Sequence, residues 1–180
     1  MEQNNVSRIN QINIKKAWYI VGFADGEGSF NLSWRKRDDY LIGWKVSPVF
    51  NISQKEKTIL SIIKSHLKCG TIRFRNDAVW VYEVNNKNAL IEKIIPFFQK
   101  FRFLSEKKKR DFARFIKIVK IVYQGHKTKT YDDVTALLKL ISDIEHKHSR
   151  KYTDQEILDR ASDFWLKNKS KIEDANMKHS

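Results

Sequence analysis

A helix that ends in an acidic, glycine-rich turn and passes directly into a strand is the feature that most restricts this fold. Apolar and aromatic residues in 17–21 form the helical stretch, and Asp-Gly-Glu-Gly follows at residues 25–28. Two glycines within three residues are expected to end the helix in this turn. Phe30, Leu32 and Trp34 then alternate with polar residues, as in a strand with one buried face. The pattern therefore predicts acidic side chains at the junction of a helix and a strand.

The rest of the chain contains three more strand patterns and several helical patterns. The predicted strands are residues 44–53, 72–75 and 80–84, and the predicted helices are residues 59–67, 90–95, 112–122, 131–146 and 153–169. Asn13 is the expected cap of the first helix, Pro96 is expected to stop the third helix, at 90–95, and Thr153 with Glu156 fits a capping box. This order predicts one α+β domain over residues 13–170, with flexible ends at 1–12 and 171–180.

Three finer predictions concern the strands and the core. Pro48 predicts that the second strand lies at a sheet edge or carries a bulge. Ile72 and Phe74 are expected to face inward on the third strand. Core packing is the favoured role of four tryptophans, over base stacking: Trp18, Trp34, Trp44 and Trp80.

The charge of the chain points to a polyanionic partner. Lysine and arginine number 35 against 21 acidic residues, a formal net charge of +14. In a folded chain with 12% aromatic residues, this excess favours nucleic acid over lipid, although it separates neither DNA from RNA nor an enzyme from a binder. The outward strand positions are basic or hydrogen-bonding with almost no acid, and such a face suits a DNA major groove. The predicted DNA-binding residues there are Asn31, Ser33, Arg35, Arg37, Lys45, Ser47, Asn51, Arg73 and Arg75.

Other classes of protein fit the sequence poorly. The apolar runs are too short to span a bilayer, and the N-terminal residues do not have the apolar stretch of a secretory signal. A single cysteine, Cys69, excludes an internal disulfide and disfavours a cysteine-based zinc site. We therefore expect an intracellular protein without membrane contact, either in an organelle (chloroplast or mitochondrion) or in a prokaryotic cytoplasm.

The helix–turn motif carries the most specific signal. Gly22 and Gly26 stand four residues apart on one helix face, where small residues let two helices approach closely. Residues 20–28, Ile-Val-Gly-Phe-Ala-Asp-Gly-Glu-Gly, resemble the LAGLIDADG signature of homing endonucleases. The likeness extends over about residues 14–165. It implies the family's αββαββα fold, with extra C-terminal helices here, and a saddle-shaped antiparallel sheet in the major groove.

The resemblance also assigns chemistry to individual residues. Glu27 occupies the metal-ligand position, and the backbone carbonyl of Gly26 is expected to help bind Mg²⁺ or Mn²⁺. Gln54 matches a polar residue that contacts catalytic waters. Lys107 or Lys108 matches a lysine that reaches the scissile phosphate. Asp25 is expected to have a structural role, capping or orienting the turn.

A single copy of the motif implies two chains. Members with one copy are homodimers, so the dimer is expected to form through the LAGLIDADG helix at Val21, Gly22 and Gly26. The implied substrate is a long, pseudo-palindromic double-stranded DNA site, cut with a stagger by an intron-encoded enzyme. A late loop is expected to grip phosphates through Lys147, Arg150 and Lys151.

Two alternatives keep the fold and change the function. A maturase would use it to bind structured RNA and assist splicing. A non-catalytic DNA-binding regulator would have lost the second acid of the motif, which is present here as Glu27.

Overall fold

The computed structural model describes residues 14–123, 130–142 and 151–177, with side chains as far as residue 168. The first half contains α1 (Ile14–Glu27), β1 (Gly28–Lys36), β2 (Trp44–Gln54), α2 (Lys57–Leu67), β3 (Thr71–Phe74) and β4 (Trp80–Val84). A helical segment in three pieces, α3, follows at Lys87–Ala89, Leu90–Ile94 and Ile95–Lys100. The last elements are α4 (Glu106–Tyr123), α5 (Tyr131–Ser142) and α6 (Asp154–Met177). The predicted α+β class is confirmed. Within these residues, no helix combines the length and apolar character needed to cross a membrane.

The four strands form one sheet in the order β1-β2-β4-β3. β2 and β4 are antiparallel, with Phe50 opposite Val84 and Gln54 opposite Trp80, and β3 is antiparallel to β4. β2 is therefore an internal strand of the sheet, so the edge-strand position predicted as one alternative from Pro48 is wrong, and the other alternative, a bulge, stays a prediction. The ladder with β4 begins at Phe50, so the missing N–H of Pro48 removes no hydrogen bond from that ladder.

The described elements fall into two compact units, each built from two stretches of sequence. The first takes Met1–Ser29 and Phe50–Lys109. Its core is aromatic on the inner side of β2 and β4: the rings of Phe50 and Phe98 lie 5.3 Å apart and those of Phe50 and Tyr82 6.4 Å apart. Leu60, Ile63 and Leu67 of α2 are buried, as their helical spacing predicts.

The second unit takes Phe30–Val49 and Arg110–Ser180. Phe30 of β1 packs on Phe115 of α4, with ring centroids 4.8 Å apart. Trp44 is fully buried, and its Nε1 donates to the carbonyl of Ile157 at 3.1 Å, which ties β2 to α6. The alternation predicted for β1 is confirmed, since Phe30, Leu32 and Trp34 are all buried.

The predicted capping box at the start of α6 is confirmed. The Thr153 N–H donates to Glu156 Oε2 at 2.7 Å, and the Glu156 N–H donates to Thr153 Oγ1 at 3.2 Å. Thr130 and Asp133 make the same reciprocal pair at the start of α5, at 2.9 and 3.1 Å. The predicted cap at Asn13 and the last residues, 143–146, of the helix predicted at 131–146 lie outside the described residues.

α1 ends at Glu27, inside the acidic, glycine-rich turn where its end was predicted. Other helix boundaries differ from the predictions. α3 continues through Pro96, since the residues just before it form a π-helical turn, Leu90–Ile94, whose wider hydrogen-bonding pattern accommodates the proline ring. α6 reaches Met177, into the predicted tail, because neither glycine nor proline interrupts residues 169–177.

Some inward assignments were wrong as well. Phe74 is 56% exposed and Trp18 is 48% exposed, although both were expected in the core. β3 has only four residues and lies at the edge of the sheet, so its end is not covered. Val49 is buried, although it alternates in sequence with Ser47 and Asn51, which are predicted on the outward face of β2.

Candidate active site

The C-terminal end of α1 presents an unpaired carboxylate. Glu27 is the last residue of the helix and is exposed. Within the part of the chain that the structure describes, its carboxylate makes neither a hydrogen bond nor an ion pair. A Cβ at Gly28 would lie 2.5 Å from the carbonyl oxygen of Ala24, so glycine is required for this passage from helix to strand. The local sequence thus holds Glu27 at the junction with its oxygens accessible.

The first acid of the motif, Asp25, has the structural role predicted for it. Its Oδ2 accepts hydrogen bonds from the N–H groups of Leu104 and Ser105, both at 3.0 Å, and its Oδ1 accepts from the Ser105 hydroxyl. Partial burial favours a raised pKa for Asp25, but these hydrogen bonds outweigh it and lower the pKa below its usual range. Asp25 therefore joins the end of α1 to the segment that leads into α4.

Ser105 is a functional residue that the sequence analysis missed. Its hydroxyl oxygen accepts from the Lys108 N–H at 3.3 Å, which makes it the N-cap of α4, while the same hydroxyl donates to Asp25. A serine directly before a helical, lysine-rich stretch is a recognisable N-cap signal. The signal could have located the start of α4, but not the contact with Asp25.

Lys108 is the lysine of α4 that reaches the end of α1. Its side chain is buried, and its Nζ donates to the carbonyl of Gly28, the residue after Glu27. Lys107 is exposed. The positive charge of Lys108 also contributes to the lowered pKa of Asp25. Of the two lysines left open by the sequence, the geometry favours Lys108.

Gln54 and Gly26 are held by fewer described contacts than Asp25. Gln54 ends β2, and its Oε1 accepts from the Lys55 N–H at 3.2 Å, while no described contact joins it to Glu27. Gly26 is exposed, and a Cβ built on it would meet nothing within 4 Å. Among the described residues, no group of three or more His, Cys, Asp and Glu side chains could hold a metal ion.

The outer face of α1 is exposed and largely apolar. Ile14, Trp18 and Tyr19 are 65%, 48% and 56% exposed, and Gly22 and Gly26 continue the same helix face. The opposite face buries Ala17, Ile20, Val21 and Ala24 within the chain. The assignment of Val21 to a dimer face is therefore corrected: Val21 is 2% exposed because it faces the chain's own core.

The predicted DNA-binding residues of the second unit lie on the first two strands and the turn between them. Asn31, Ser33, Lys45 and Ser47 are partly exposed at the expected alternate positions, and Arg35 is fully on the surface. Arg37 is held by Asp39 through two hydrogen bonds of 2.7 Å. Lys151 is exposed with its Nζ 5.4 Å from the centroid of Tyr152, whereas Lys147 and Arg150 lie outside the described residues.

In the first unit, the outward arginines are paired with acids. Arg73 lies 3.5 Å from Glu83, and Arg75 lies 2.7 Å from Asp77. Asn51 stands opposite Glu83 in the β2–β4 ladder. The outward face is thus less free of acid than predicted, because Glu83 projects between the basic and amide side chains.

A family model described as LAGLIDADG endonuclease matches residues 20–119. The chain belongs to the LAGLIDADG endonuclease family. The predicted family, its fold and the enzyme class are confirmed. The matched residues include Glu27, Gln54 and Lys108 and stop short of Lys151.

The relatives of this LAGLIDADG endonuclease come from different organisms and differ in length. Homing endonuclease I-ApeII of Aeropyrum pernix is 27% identical over 146 residues, 78% of this chain and 86% of the relative. DNA endonuclease I-CeuI of Chlamydomonas moewusii is 31% identical over 111 residues, 58% of this chain and 51% of the relative. The solved structure of archaeal intron-encoded homing endonuclease I-Vdi141I complexed with DNA matches with a TM-score of 0.73 and 30% identity, over 85% of this chain and 98% of that one.

Proposed function

We propose that this LAGLIDADG endonuclease is an intron-encoded homing enzyme that makes a metal-dependent, staggered double-strand break in duplex DNA as a homodimer. The observation that carries the proposal is the exposed, unpaired carboxylate of Glu27 at the end of a helix whose outer face is also exposed. One chain supplies one such carboxylate, so a second chain is needed to complete the site. The target is a long, pseudo-palindromic site, since two-fold symmetry in the protein is matched by two half-sites.

The outer face of α1 supports the dimer. Gly22 has nothing within 4 Å of the position where a Cβ would stand, so a second helix can approach its backbone closely. Trp18 and Tyr19 on the same face lose exposed apolar surface when a partner covers them. Packing of two such helices brings both Glu27 carboxylates towards the two-fold axis.

The donor set fits Mg²⁺ or Mn²⁺. Glu27 and the Gly26 carbonyl provide hard oxygen ligands, and the C-terminal end of a helix is itself favourable for a cation. Two carboxylates near one axis repel each other, which favours a divalent ion between them. When bound, the metal would make hydroxide available and stabilise charge on the phosphate and the leaving oxygen.

The other residues of the site have separate roles. Lys108, held at the Gly28 carbonyl, places a positive charge beside the phosphate that is cut. Asp25 and Ser105 fix the start of α4, and so the position of that lysine. Gln54 at the end of β2 orients water through its side-chain amide.

The strands supply DNA recognition in this proposal. Asn51, Arg73 and Arg75 offer the amide and guanidinium groups that pair with adenine and guanine in the major groove. Arg73 and Arg75 exchange their acidic partners for base edges on binding. Lys147, Arg150 and Lys151 contact phosphates, which position the protein without reading sequence.

The decisive experiment is a selection for cleavage of randomised duplex DNA with Mg²⁺, run beside Glu27→Gln. The substitution keeps the shape of the side chain and removes its charge, so the variant is expected to bind DNA without cutting it. The native protein is expected to recover a pseudo-palindromic site cut on both strands. Equal cleavage by the variant would exclude Glu27 as the metal ligand, whereas no cleavage together with tight binding of structured RNA would favour a maturase.

A further inference from the structure

A groove lies along one side of α2. Its volume is about 680 Å³. Its lining consists of four residues of α2, the three residues that directly follow this helix, and one residue of β3: Lys57, Ser61, Lys64, Ser65, Lys68, Cys69, Gly70 and Ile72. We refer to this feature as the α2 groove. Its lining contains no acidic residue.

The lysines of the α2 groove carry uncompensated charge. Lys64 and Lys68 are exposed, and neither forms an ion pair with any of the described residues. This differs from Arg37, Arg73 and Arg75, each of which has an acidic partner. The three lysines are also spread out along the helix, with rises of about 10 Å from Lys57 to Lys64 and about 6 Å from Lys64 to Lys68. This spacing suits an extended polyanion better than one small anion.

Two aromatic rings, one exposed and one partly exposed, lie beside Lys57 at the N-terminal end of α2. Phe74 is 56% exposed and lies 4.8 Å from the partly exposed Trp80, centroid to centroid. Lys57 bridges the helix and these rings, with its Nζ 4.7 Å from the centroid of Trp80. Basic side chains beside open aromatic rings form the combination that binds unpaired nucleic-acid strands, because each base has a flat face that can stack.

The α2 groove lies on the helix-covered side of the sheet. Ile72 stands opposite Tyr82, and Tyr82 contacts the core ring of Phe50 and donates to the carbonyl of Cys69. Residues one position away, such as Arg73 and Glu83, project from the other side of the sheet. A strand in the α2 groove would therefore leave the outward arginines accessible.

We propose that the α2 groove is a second nucleic-acid site, separate from the outward sheet face, and that it binds an unpaired strand. The phosphates contact Lys64 and Lys68, and one or more bases stack on Phe74 and Trp80. RNA and single-stranded DNA share the chemistry that is recognised, namely a phosphodiester backbone with exposed bases. The proposal does not rest on duplex cleavage.

The test is a fluorescence-anisotropy titration of mixed-sequence, unpaired RNA and DNA oligonucleotides over a salt series. Lys64→Gln/Lys68→Gln is expected to bind roughly ten-fold more weakly and to reduce the slope of log affinity against log salt by about 1.4, since each single-strand phosphate contact contributes about 0.7. Phe74→Ala is expected to weaken binding roughly five-fold or more with an unchanged slope, because it removes stacking and no charge. A comparison of the affinities for unpaired RNA and for unpaired DNA shows which of the two nucleic acids the α2 groove binds more tightly.

The matched control is Lys120→Gln/Lys139→Gln, which removes the same charge from exposed positions of α4 and α5. This control is expected to keep native oligonucleotide affinity. Thermal unfolding midpoints verify that each variant is folded. An equal loss in the control pair would show diffuse attraction to a basic protein, and the absence of binding to both oligonucleotides would reject the site. Failure of duplex cleavage alone would contradict the proposed endonuclease and leave this site intact.

Discussion

At the residue scale, the most informative contrast is between two neighbouring lysines of α4. Lys108 is buried with its Nζ at the Gly28 carbonyl, while Lys107 is exposed. A charge that assists phosphate cleavage acts best from a fixed, partly dehydrated position, because water screens it less there. The two side chains are chemically identical and differ only in their positions on α4. Mutating each in turn therefore tests the effect of position alone.

Lys108→Met is expected to lower the cleavage rate roughly a hundred-fold or more, and Lys107→Met to change it little. Methionine preserves most of the volume of the buried side chain, so the fold is retained. The measurement is single-turnover cleavage of the selected target, with DNA affinity determined in parallel. A larger loss in Lys107→Met would reverse the assignment of the two lysines.

Asp25 gives a prediction about pH. Asp25→Asn is expected to lose about 0.5–2 kcal/mol of stability, as for the loss of a helix cap, or about 2–4 °C in Tm per kcal/mol. Because the pKa of Asp25 is lowered by folding, its contribution is fully present above the ordinary carboxyl pKa of about 3.9 and is lost as the pH falls through the lower folded value.

Thermal unfolding of the native protein and Asp25→Asn from pH 8 to pH 3 measures this contribution. The difference in Tm is expected to be constant above about pH 5 and to shrink below about pH 4. Taking the difference cancels other carboxylates with lowered pKa, such as Asp39 and Glu156. A difference in Tm that grows as the pH falls would contradict the lowered pKa of Asp25.

Arg73 tests direct reading of the DNA sequence. Arg73→Ala is expected to cost about 1–3 kcal/mol in affinity and to relax base preference at one position of each half-site. Glu83→Gln is the matched variant, because it frees Arg73 without removing it. Binding to a library of half-site variants measures both effects. Unchanged site preference in Arg73→Ala would limit this arginine to phosphate or solvent contacts.

At the scale of elements, α1 has two faces with different tasks, and its glycines differ accordingly. Gly22 has open space around its Cβ position, whereas Gly28 has the Ala24 carbonyl at 2.5 Å. The sequence motif contains both residues and does not distinguish their roles. In the isolated chain, the first leaves room for a neighbour and the second permits the turn into β1.

Gly22→Met and Gly28→Ala are therefore expected to have different effects. Gly22→Met adds about 1 kcal/mol of helix propensity to the single chain but should abolish dimerisation and cleavage, so its Tm should no longer rise with protein concentration. Gly28→Ala forces a backbone shift and should cost about 1–3 kcal/mol of stability. Sedimentation velocity and thermal unfolding distinguish the two. A fully dimeric, active Gly22→Met would mean that this face is not the interface.

Periodicity explains why most elements could be predicted from sequence and why some surfaces could not. Period-2 alternation located β1, since each buried residue has a polar neighbour. The same logic failed for Trp18, because both faces of α1 are apolar and periodicity does not say which one the chain itself covers. The prediction that Phe74 is buried was wrong because strand alternation carries no information about where the covering helix ends.

The candidate site was predictable where chemistry is local in sequence. Glu27 follows from the motif around it, whereas the partner of Asp25 stands 80 residues later and is brought to it by tertiary structure. Ser105 resembles many other N-caps, so nothing in the sequence links it to the first helix. The choice between Lys107 and Lys108 required the direction of each side chain on α4, which a run of three lysines conceals.

At the scale of the whole molecule, activity should depend on pairs of chains. If each active complex needs Glu27 from both subunits, mixing native chains with an equal amount of Glu27→Gln chains leaves about a quarter of the dimers fully native. At a constant total amount of chain, double-strand cleavage is then expected to fall as the square of the native fraction. Gly22→Met/Glu27→Gln chains, which do not dimerise, are the control and should leave cleavage at about half, in proportion to the native chains present. A linear decline to about half would indicate that each chain acts alone.

The exposed aromatic face of α1 also has a consequence for dosage. In the proposed homodimer, Trp18 and Tyr19 are covered only when two chains meet, so the amount of working enzyme would rise more steeply than the amount of chain. A host cell that translates the gene sparingly would then contain mostly inert single chains. The surface proposed to complete the enzyme would thereby also set a threshold of expression, below which the genome that carries the gene is left uncut.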